Sequence, residues 1–151
     1  MNEEKDGAFL GGSCNPTTWR KDIAIPAFEA AGISFYNPQV DNWHEGLIAL
    51  EANAKANSKV LIFVIDGQTR AVVSMLEALT YAHAGRTVML VVENIPDGTV
   101  IGGEIVTGSQ LKDLNRGRSY LRDLVSDCTN TTIFETVGAA VEATINILIT
   151  A

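Results

Sequence analysis

Cysteine is scarce in this chain: Cys14 and Cys128 are the only two, far apart and without CxxC spacing. That leaves no disulfide framework and no cysteine metal knuckle; two buried or unreactive thiols in a reducing compartment are expected. Basic residues are also few. Eleven Lys and Arg stand against 18 Asp and Glu, a formal charge of −7. A nucleic-acid polymer or an anionic membrane surface would be repelled on average, so neither is an expected partner. A single nucleotide is different, because a few local donors can hold one phosphate in an acidic protein. No apolar run reaches the roughly 18 residues of a membrane helix. The opening Met-Asn-Glu-Glu-Lys-Asp lacks the basic-then-apolar pattern of a secretory signal. His44 and His83 have no partner at ligand spacing, so no metal site is legible and no cofactor is expected. These absences predict a cytoplasmic protein.

What is present is the composition of one globular domain. Hydrophobic residues make up 46% and charged residues 19% of the 151, and a chain of this length buries about 70% of its unfolded surface. With no repeat and no low-complexity linker, residues 1–151 read as a single domain. GAFLGG (7–12) predicts a first strand ending in glycines. Residues 18–31 predict a helix, with Thr17 or Thr18 as its N-cap and Gly32 as its stop. Ile33 to Tyr36 is a second short strand, ended by the Asn37-Pro38 turn signal. A helix over about 45–57 precedes KVLIFVID (59–66), apolar at every interior position, as in a central parallel strand buried on both faces. A third helix over about 70–84 and a second buried strand, TVMLVVE (87–93), follow. After a loop rich in glycine come a helix over about 109–126, strand TTIF (131–134) and a helix over about 135–149. The last helix carries Val137, Val141, Ile145 and Leu148 at helical spacing.

Five strands alternating with helices imply right-handed crossovers and a doubly wound α/β fold with a parallel sheet. A flavodoxin-like order, 2-1-3-4-5, is the economical arrangement. Ligands of such sheets bind beyond the carboxyl ends of the strands, where the strand order reverses. The segments to inspect are therefore Gly11–Trp19, Asn37–Trp43, Asp66–Glu77 and the loop after Glu93.

The first loop reads GGSCNPTTWR. Glycines at a strand end let backbone N–H groups approach a ligand, and a following helix N-terminus favours an anion. The same glycines serve a tight turn equally well. Trp19 and Trp43 are either core residues or platforms for a base. Helix three is more informative: from Ala71 to Ala82 its only charge is Glu77. A solvent-facing helix shows several charges, so this one is expected to be covered by another subunit. A lone carboxylate there is a buried, paired structural group, the mark of a narrow exposed face, or a reactive group. Glu77 lies on the second turn after the central strand, within reach of the crevice, where a carboxylate can attack an anomeric carbon. Its replacement by Gln is expected to leave folding unharmed or improved. Arg70 and the Arg116/Arg118 pair are candidates for a bidentate grip on phosphate or carboxylate, or for ion pairs at the surface or between subunits. If Arg116 and Arg118 hold phosphate, nucleotides should stabilise the protein more than nucleosides, and Arg118→Ala should erase the difference. His83 is expected near the end of helix three, where a cation suits the dipole.

Taken together, GGSCNPTTWRKDIAIP, NPQVDNW, EANAKANSKVLIFVI, TRAVVSMLEA and LNRGRSYL resemble the nucleoside 2-deoxyribosyltransferase-like proteins over most of the chain. The resemblance implies a flavodoxin-like fold and a catalytic glutamate on helix three that displaces a nucleobase from a 2-deoxyribosyl group. The sugar then passes to another base or to water. It also implies a homo-oligomer whose subunits complete one another's sites. Glu77 falls in the nucleophile position and Glu51 where an acidic crevice residue is usual. Trp19 is the nearest aromatic to the family's first-loop tyrosine. Ala71 stands six residues before the nucleophile, where an acidic contact to the base is usual. On this reading the substrate is a 2-deoxynucleoside or its 5′-monophosphate. Glu51, Asp66 or Asp41 orients or protonates the leaving base, although Asp66 and Asp41 fit equally well as turn caps. The substrate-binding candidates are Gly11, Gly12, Ser13, Asn15, Trp19, Asn37, Gln39, Asp41, Trp43, Arg70 and Ser74. The alternative is a catalytically silent nucleotide- or nucleotide-sugar-binding module. The absent tyrosine and acid favour it; the retained Glu77 disfavours it.

Overall fold

The computed structural model describes residues 5–150. Its elements, in chain order, begin with strand β1 (Ala8–Gly12) and a π-helical stretch (Arg20–Ala24) that runs into helix α1 (Ile25–Ala31). Strand β2 (Phe35–Tyr36), helix α2 (Gly46–Asn57), strand β3 (Val60–Ile65) and helix α3 (Val72–His83) follow. Next come β4 (Val88–Val92), a hairpin of β5 (Thr99–Ile101) and β6 (Glu104–Val106), then α4 (Gly108–Val125), β7 (Thr131–Phe134) and α5 (Val137–Thr150).

β1, β2, β3, β4 and β7 form one parallel sheet in the order β2-β1-β3-β4-β7. Counting those five strands alone, this is the 2-1-3-4-5 order of a flavodoxin-like fold. The unbroken apolar run of β3 explains its central place. Side chains alternate across a strand, so Val60, Ile62 and Val64 enter one layer while Leu61, Phe63 and Ile65 enter the other. The first layer holds Phe28 with Ala140 and Val141, so α1 and α5 cover that face. The second holds Ala78, Ala82, Leu121 and Val125, so α3 and α4 cover the opposite face, with Ala54 of α2 packed beside them. All six β3 residues are buried; at about 1.5–3 kcal/mol per large apolar side chain, the strand is the main anchor of both layers.

Two local expectations change. Neither Thr17 nor Thr18 caps the first helix: the Thr17 hydroxyl donates to the carbonyls of Ser13 and Cys14, and Trp19 occupies the N-cap without a side-chain bond. Gly32 does end that helix, in the left-handed conformation. The glycine-rich loop after β4 is not structureless. Gly102 and Gly103 have φ of 59° and 81°, the backbone that a tight two-residue hairpin requires. Ile95, Ile101 and Val106 pin this hairpin in a small apolar cluster with Leu111 and Leu114 of α4.

Candidate active site

At the carboxyl ends of β1 and β3, a small cleft opens on the side of α2 and α3. Its walls are Phe9, Gly11, Gly12, Cys14, Pro38, Glu51, Phe63 and Glu77. The two glycines answer first to strand packing. A Cβ on Gly11 would sit 2.6 Å from the Phe63 ring, and one on Gly12 (φ 130°) would sit 2.5 Å from the Val64 carbonyl oxygen. The close approach of β1 to β3 thus requires glycine, with or without a ligand.

Glu77 arrives on the second turn of α3, where Lys55, in the last turn of α2, donates a hydrogen bond to its Oε2. The Lys55 side chain is 10% exposed and that of Glu77 28%. The Lys55 Nζ lies 5.5 Å from the centre of the Phe9 ring and 5.6 Å from that of Tyr81. An ammonium removed from water is costly unless an anion and π faces compensate it, and here both do. Glu51 precedes Lys55 by four residues and so lies on the same face of α2. Burial raises the Glu51 carboxyl above the usual carboxylate range; Lys55 pulls it down, and the charge of Glu77 pushes it up. Two carboxylates therefore share one cleft in unlike environments. Glu77 has an ammonium in contact, whereas Glu51 forms no ion pair among the described residues. Burial also raises the Cys14 thiol, more than nearby Arg20 lowers it, so this cleft wall carries a neutral thiol.

Buried arginines and one glutamine hold the surrounding loops. Arg20 donates from Nε to the Leu10 carbonyl (2.9 Å), from Nη1 to Ser13 (3.1 Å) and from Nη2 to Gly12 (2.9 Å), fixing the loop after β1. Gln39 donates from Nε2 to the carbonyls of Cys14 (2.8 Å) and Thr17 (3.0 Å), tying the segment after β2 to the same loop. The Asn37 side-chain oxygen accepts the Gln39 backbone N–H at 3.0 Å, an Asx turn. Ser13 takes part through its carbonyl, and Asn15 is exposed beside Gln39. These four residues hold the loops behind the cleft wall, and none of them lines the cleft itself.

Arg118 is the counterpart on the loops after β3 and β4. Fully buried, it donates to the carbonyls of Glu93 (2.8 Å), Asp66 (2.7 Å), Thr69 (2.9 Å), Arg70 (3.5 Å) and Leu114 (3.4 Å). Its donors are all directed at backbone carbonyls, which leaves none free here for a phosphate or a surface carboxylate. Arg116 points elsewhere: it is exposed, 3.8 Å from Asp113 on its own helix. Arg70 pairs with Glu104 of the hairpin at 3.2 Å.

Several candidates lie away from the cleft. Asp66 accepts from the Gln68 backbone N–H (2.7 Å) and the Thr69 hydroxyl (2.8 Å), so it caps the turn leaving β3. Together with Trp19 it lines a separate cavity of about 240 Å³, which also includes Val137 of α5. Trp19 is buried in the α1/α5 layer, under the Arg20 guanidinium at 4.6 Å. It therefore lies across the sheet from Glu77 and does not replace a tyrosine beside it. Asp41 and Trp43 are exposed in the segment before α2, outside the cleft lining. Ser74 is buried one turn before Glu77. Ala71 has φ 55°, a left-handed backbone that costs a non-glycine residue about 1–2 kcal/mol. His83 ends α3, its Nε2 2.7 Å from the Leu124 carbonyl, and His44 is exposed. Among the described residues no group of His, Cys, Asp and Glu is arranged to hold a metal ion, and no helix is long and apolar enough to cross a membrane.

Sequence reasoning missed Lys55. Its signal was the Glu51–Lys55 spacing on α2, a helix otherwise short of charge. Residues 7–95 match the family model described as nucleoside 2-deoxyribosyltransferase like. A search of curated proteins returned no match.

Proposed function

Given that the chain belongs to the nucleoside 2-deoxyribosyltransferase-like family, we propose that it transfers or hydrolyses the N-glycosyl bond of a 2-deoxynucleoside or its 5′-monophosphate through a covalent bond to Glu77. The observation that carries this reading is the pair of carboxylates in one cleft, one against an ammonium and the other raised by burial. Environments that differ in this way assign nucleophile and acid. The free Oε1 of Glu77 attacks the anomeric carbon, and the bond to the base nitrogen breaks with its electron pair leaving on the base. Glu51 gives that nitrogen its proton. A second base or a water then attacks the same carbon from the opposite side, loses a proton to Glu51 and frees the Glu77 carboxylate. Incubation with each deoxynucleoside, with and without a second free base, tests the proposal. Release or exchange of base supports it, and none with any substrate, 5′-monophosphates included, sinks it.

The second reading, a nucleoside- or nucleotide-binding module without catalysis, draws on the Lys55 bond that already occupies Glu77 and on Ala71 in place of the base-contacting acid. A ligand that shifts the melting temperature yet keeps its base through long incubation selects this reading.

Glu51→Gln separates the proton donor from a bystander. Because folding raises the Glu51 carboxyl, its contribution to stability is present below the unfolded value of about 4.3. That contribution is lost as pH rises through the folded value. Glu51→Gln should therefore melt higher than wild type at neutral pH, with the gain vanishing below about pH 4. Base release should fall by ~100-fold or more, as expected when a general acid is removed. Unchanged release would remove Glu51 from the mechanism.

The cleft encloses only about 40 Å³, against the roughly 300 Å³ or more of small-molecule pockets. A second copy of this chain is proposed to complete it. On α3 and α4, Val73 is 68%, Leu76 60% and Tyr120 61% exposed, beside a shallow groove lined by Val72, Met75, Leu79 and Leu124. Leu76 adjoins Glu77, so a copy seated on this face would abut the cleft. Sedimentation at micromolar concentration should show a dimer or larger, and Leu76→Glu with Tyr120→Glu should give monomers. A wild-type monomer would overturn the proposal.

A further inference from the structure

Lys55 is a buried charge that the glycosyl-transfer scheme leaves without a task. Its titratable and charged neighbours come from several elements. Glu77 of α3 accepts its hydrogen bond, and Glu51 lies one turn before it on α2. The faces of Phe9 and Tyr81 flank the Nζ. The Arg86 guanidinium lies 5.9 Å from the Tyr81 ring, but its Nη2 donates to the carbonyls of Lys55 and Ser58, not to a carboxylate. Arg20 and Cys14 reach the Glu51 side of the cleft, where Arg20 is committed to the carbonyls of the first loop. Lys55 is thus the cation that two carboxylates have in common.

We infer that Lys55 is a positioning residue whose ammonium changes partner during the reaction, from Glu77 in the free protein to Glu51 in the glycosyl-enzyme. The inference rests on the reading of Glu77 as nucleophile and Glu51 as acid. Charge balance carries it. In the proposed scheme the starting cleft carries the Glu77 carboxylate, the Lys55 ammonium in contact with it and Glu51 with the proton it is to donate, which sum to zero. Attack turns Glu77 into a neutral glycosyl ester, while Glu51 gives its proton to the departing base and becomes a carboxylate. The sum is again zero, but the anion has moved from α3 to α2. Glu followed by Lys four residues later is the favourable order for a helical ion pair, so the ammonium needs only a side-chain rotation to follow the charge. During that rotation the rings of Phe9 and Tyr81 face it. In the free protein the same contact ties down Oε2 and leaves Oε1 of Glu77 to meet the sugar.

The test follows base release across pH for wild type, K55M, K55R and E77Q, with a melting curve for each. K55M should fold and lose ~100-fold or more in rate, the scale of a misplaced reacting group. Its alkaline limb, set by Glu51 losing its proton, should move to higher pH, because the ammonium that lowers Glu51 is gone. K55R should recover most of the rate. If K55M melts too low to assay, K55Q, uncharged but able to donate to Glu77, takes its place in every measurement. Independently of turnover, carbon-13 NMR of the Glu51 carboxyl should show it titrating higher than wild type in K55M and lower in E77Q. An unshifted Glu51 titration in K55M overturns the inference. So does wild-type release by K55M with E77Q inactive. Wild-type release by E77Q instead brings down the nucleophile reading beneath it.

Discussion

Glu77→Gln should abolish base release while the protein still folds. The amide keeps the size of the side chain but replaces the anionic oxygen that must bond to the anomeric carbon with a neutral, far weaker nucleophile, so little more than uncatalysed departure of the base remains. A loss of ~1,000-fold or more is expected, about 4 kcal/mol of barrier at 1.4 kcal/mol per tenfold. The sequence alone led to the expectation that folding would be unharmed or improved, because a lone charge on an apolar helix would be relieved. Lys55 reverses that expectation. Its ammonium is 10% exposed and its hydrogen bond goes to Glu77, so the variant leaves a buried cation with only a neutral amide oxygen. The cost should be about 1–3 kcal/mol, the scale of an imperfectly paired buried group. Removing both charges in Lys55→Met with Glu77→Leu should return most of that loss, since a buried pair is often replaceable by apolar groups of similar size. Base release and thermal melting measured on the same samples decide the matter. Release near the wild-type rate removes Glu77 as nucleophile. A variant as stable as wild type shows that the Lys55 contact contributes little to the fold.

The sheet was legible because its signal is local and repeated. KVLIFVID is apolar at every interior position, short and rich in β-branched residues, the pattern of a strand covered on both faces. From that one centre, alternation with helices sets the order of the remaining strands. The hairpin at 99–106 was equally legible but went unread. Its Gly102-Gly103 pair, flanked by short apolar runs, is a two-residue turn signal, yet three-residue strands are too brief for periodicity to register. The site was legible only in part. Glu77 and Glu51 meet in one cleft because α2 and α3 cover the same face of the sheet, which the topology implies. Asp66 sits one residue beyond a strand whose alternation sends it to the opposite face, so nearness in sequence to Glu77's helix misled. Lys55 could not be paired from sequence, because its partner is on another helix and 22 positions away.

Arg118→Ala should cost the fold more than Glu77→Gln or Glu51→Gln, and it should do so without a ligand. Arginine in a sequence reads as a surface charge or an anion grip, because its charge is the visible property. Buried, it acts through its fork of donors, and here that fork closes on the carbonyls of Asp66, Thr69, Arg70, Glu93 and Leu114. Truncation leaves the loops after β3 and β4 with unpaired buried oxygens and removes the brace between them. The expected loss is about 3–5 kcal/mol, the range seen when a buried polar network is broken. Arg118→Lys should recover little, since one ammonium cannot reach carbonyls spread across two loops. Arg116→Ala, which removes only an exposed contact of 3.8 Å, should change stability by less than about 0.5 kcal/mol. Urea unfolding of the three variants without ligand separates the bracing role from a phosphate role. Bracing requires a large loss in Arg118→Ala and Arg118→Lys with Arg116→Ala unaffected. If Arg118→Ala unfolds at the wild-type midpoint and loses only a preference for nucleotides over nucleosides, the arginine binds phosphate and the carbonyl fork is incidental.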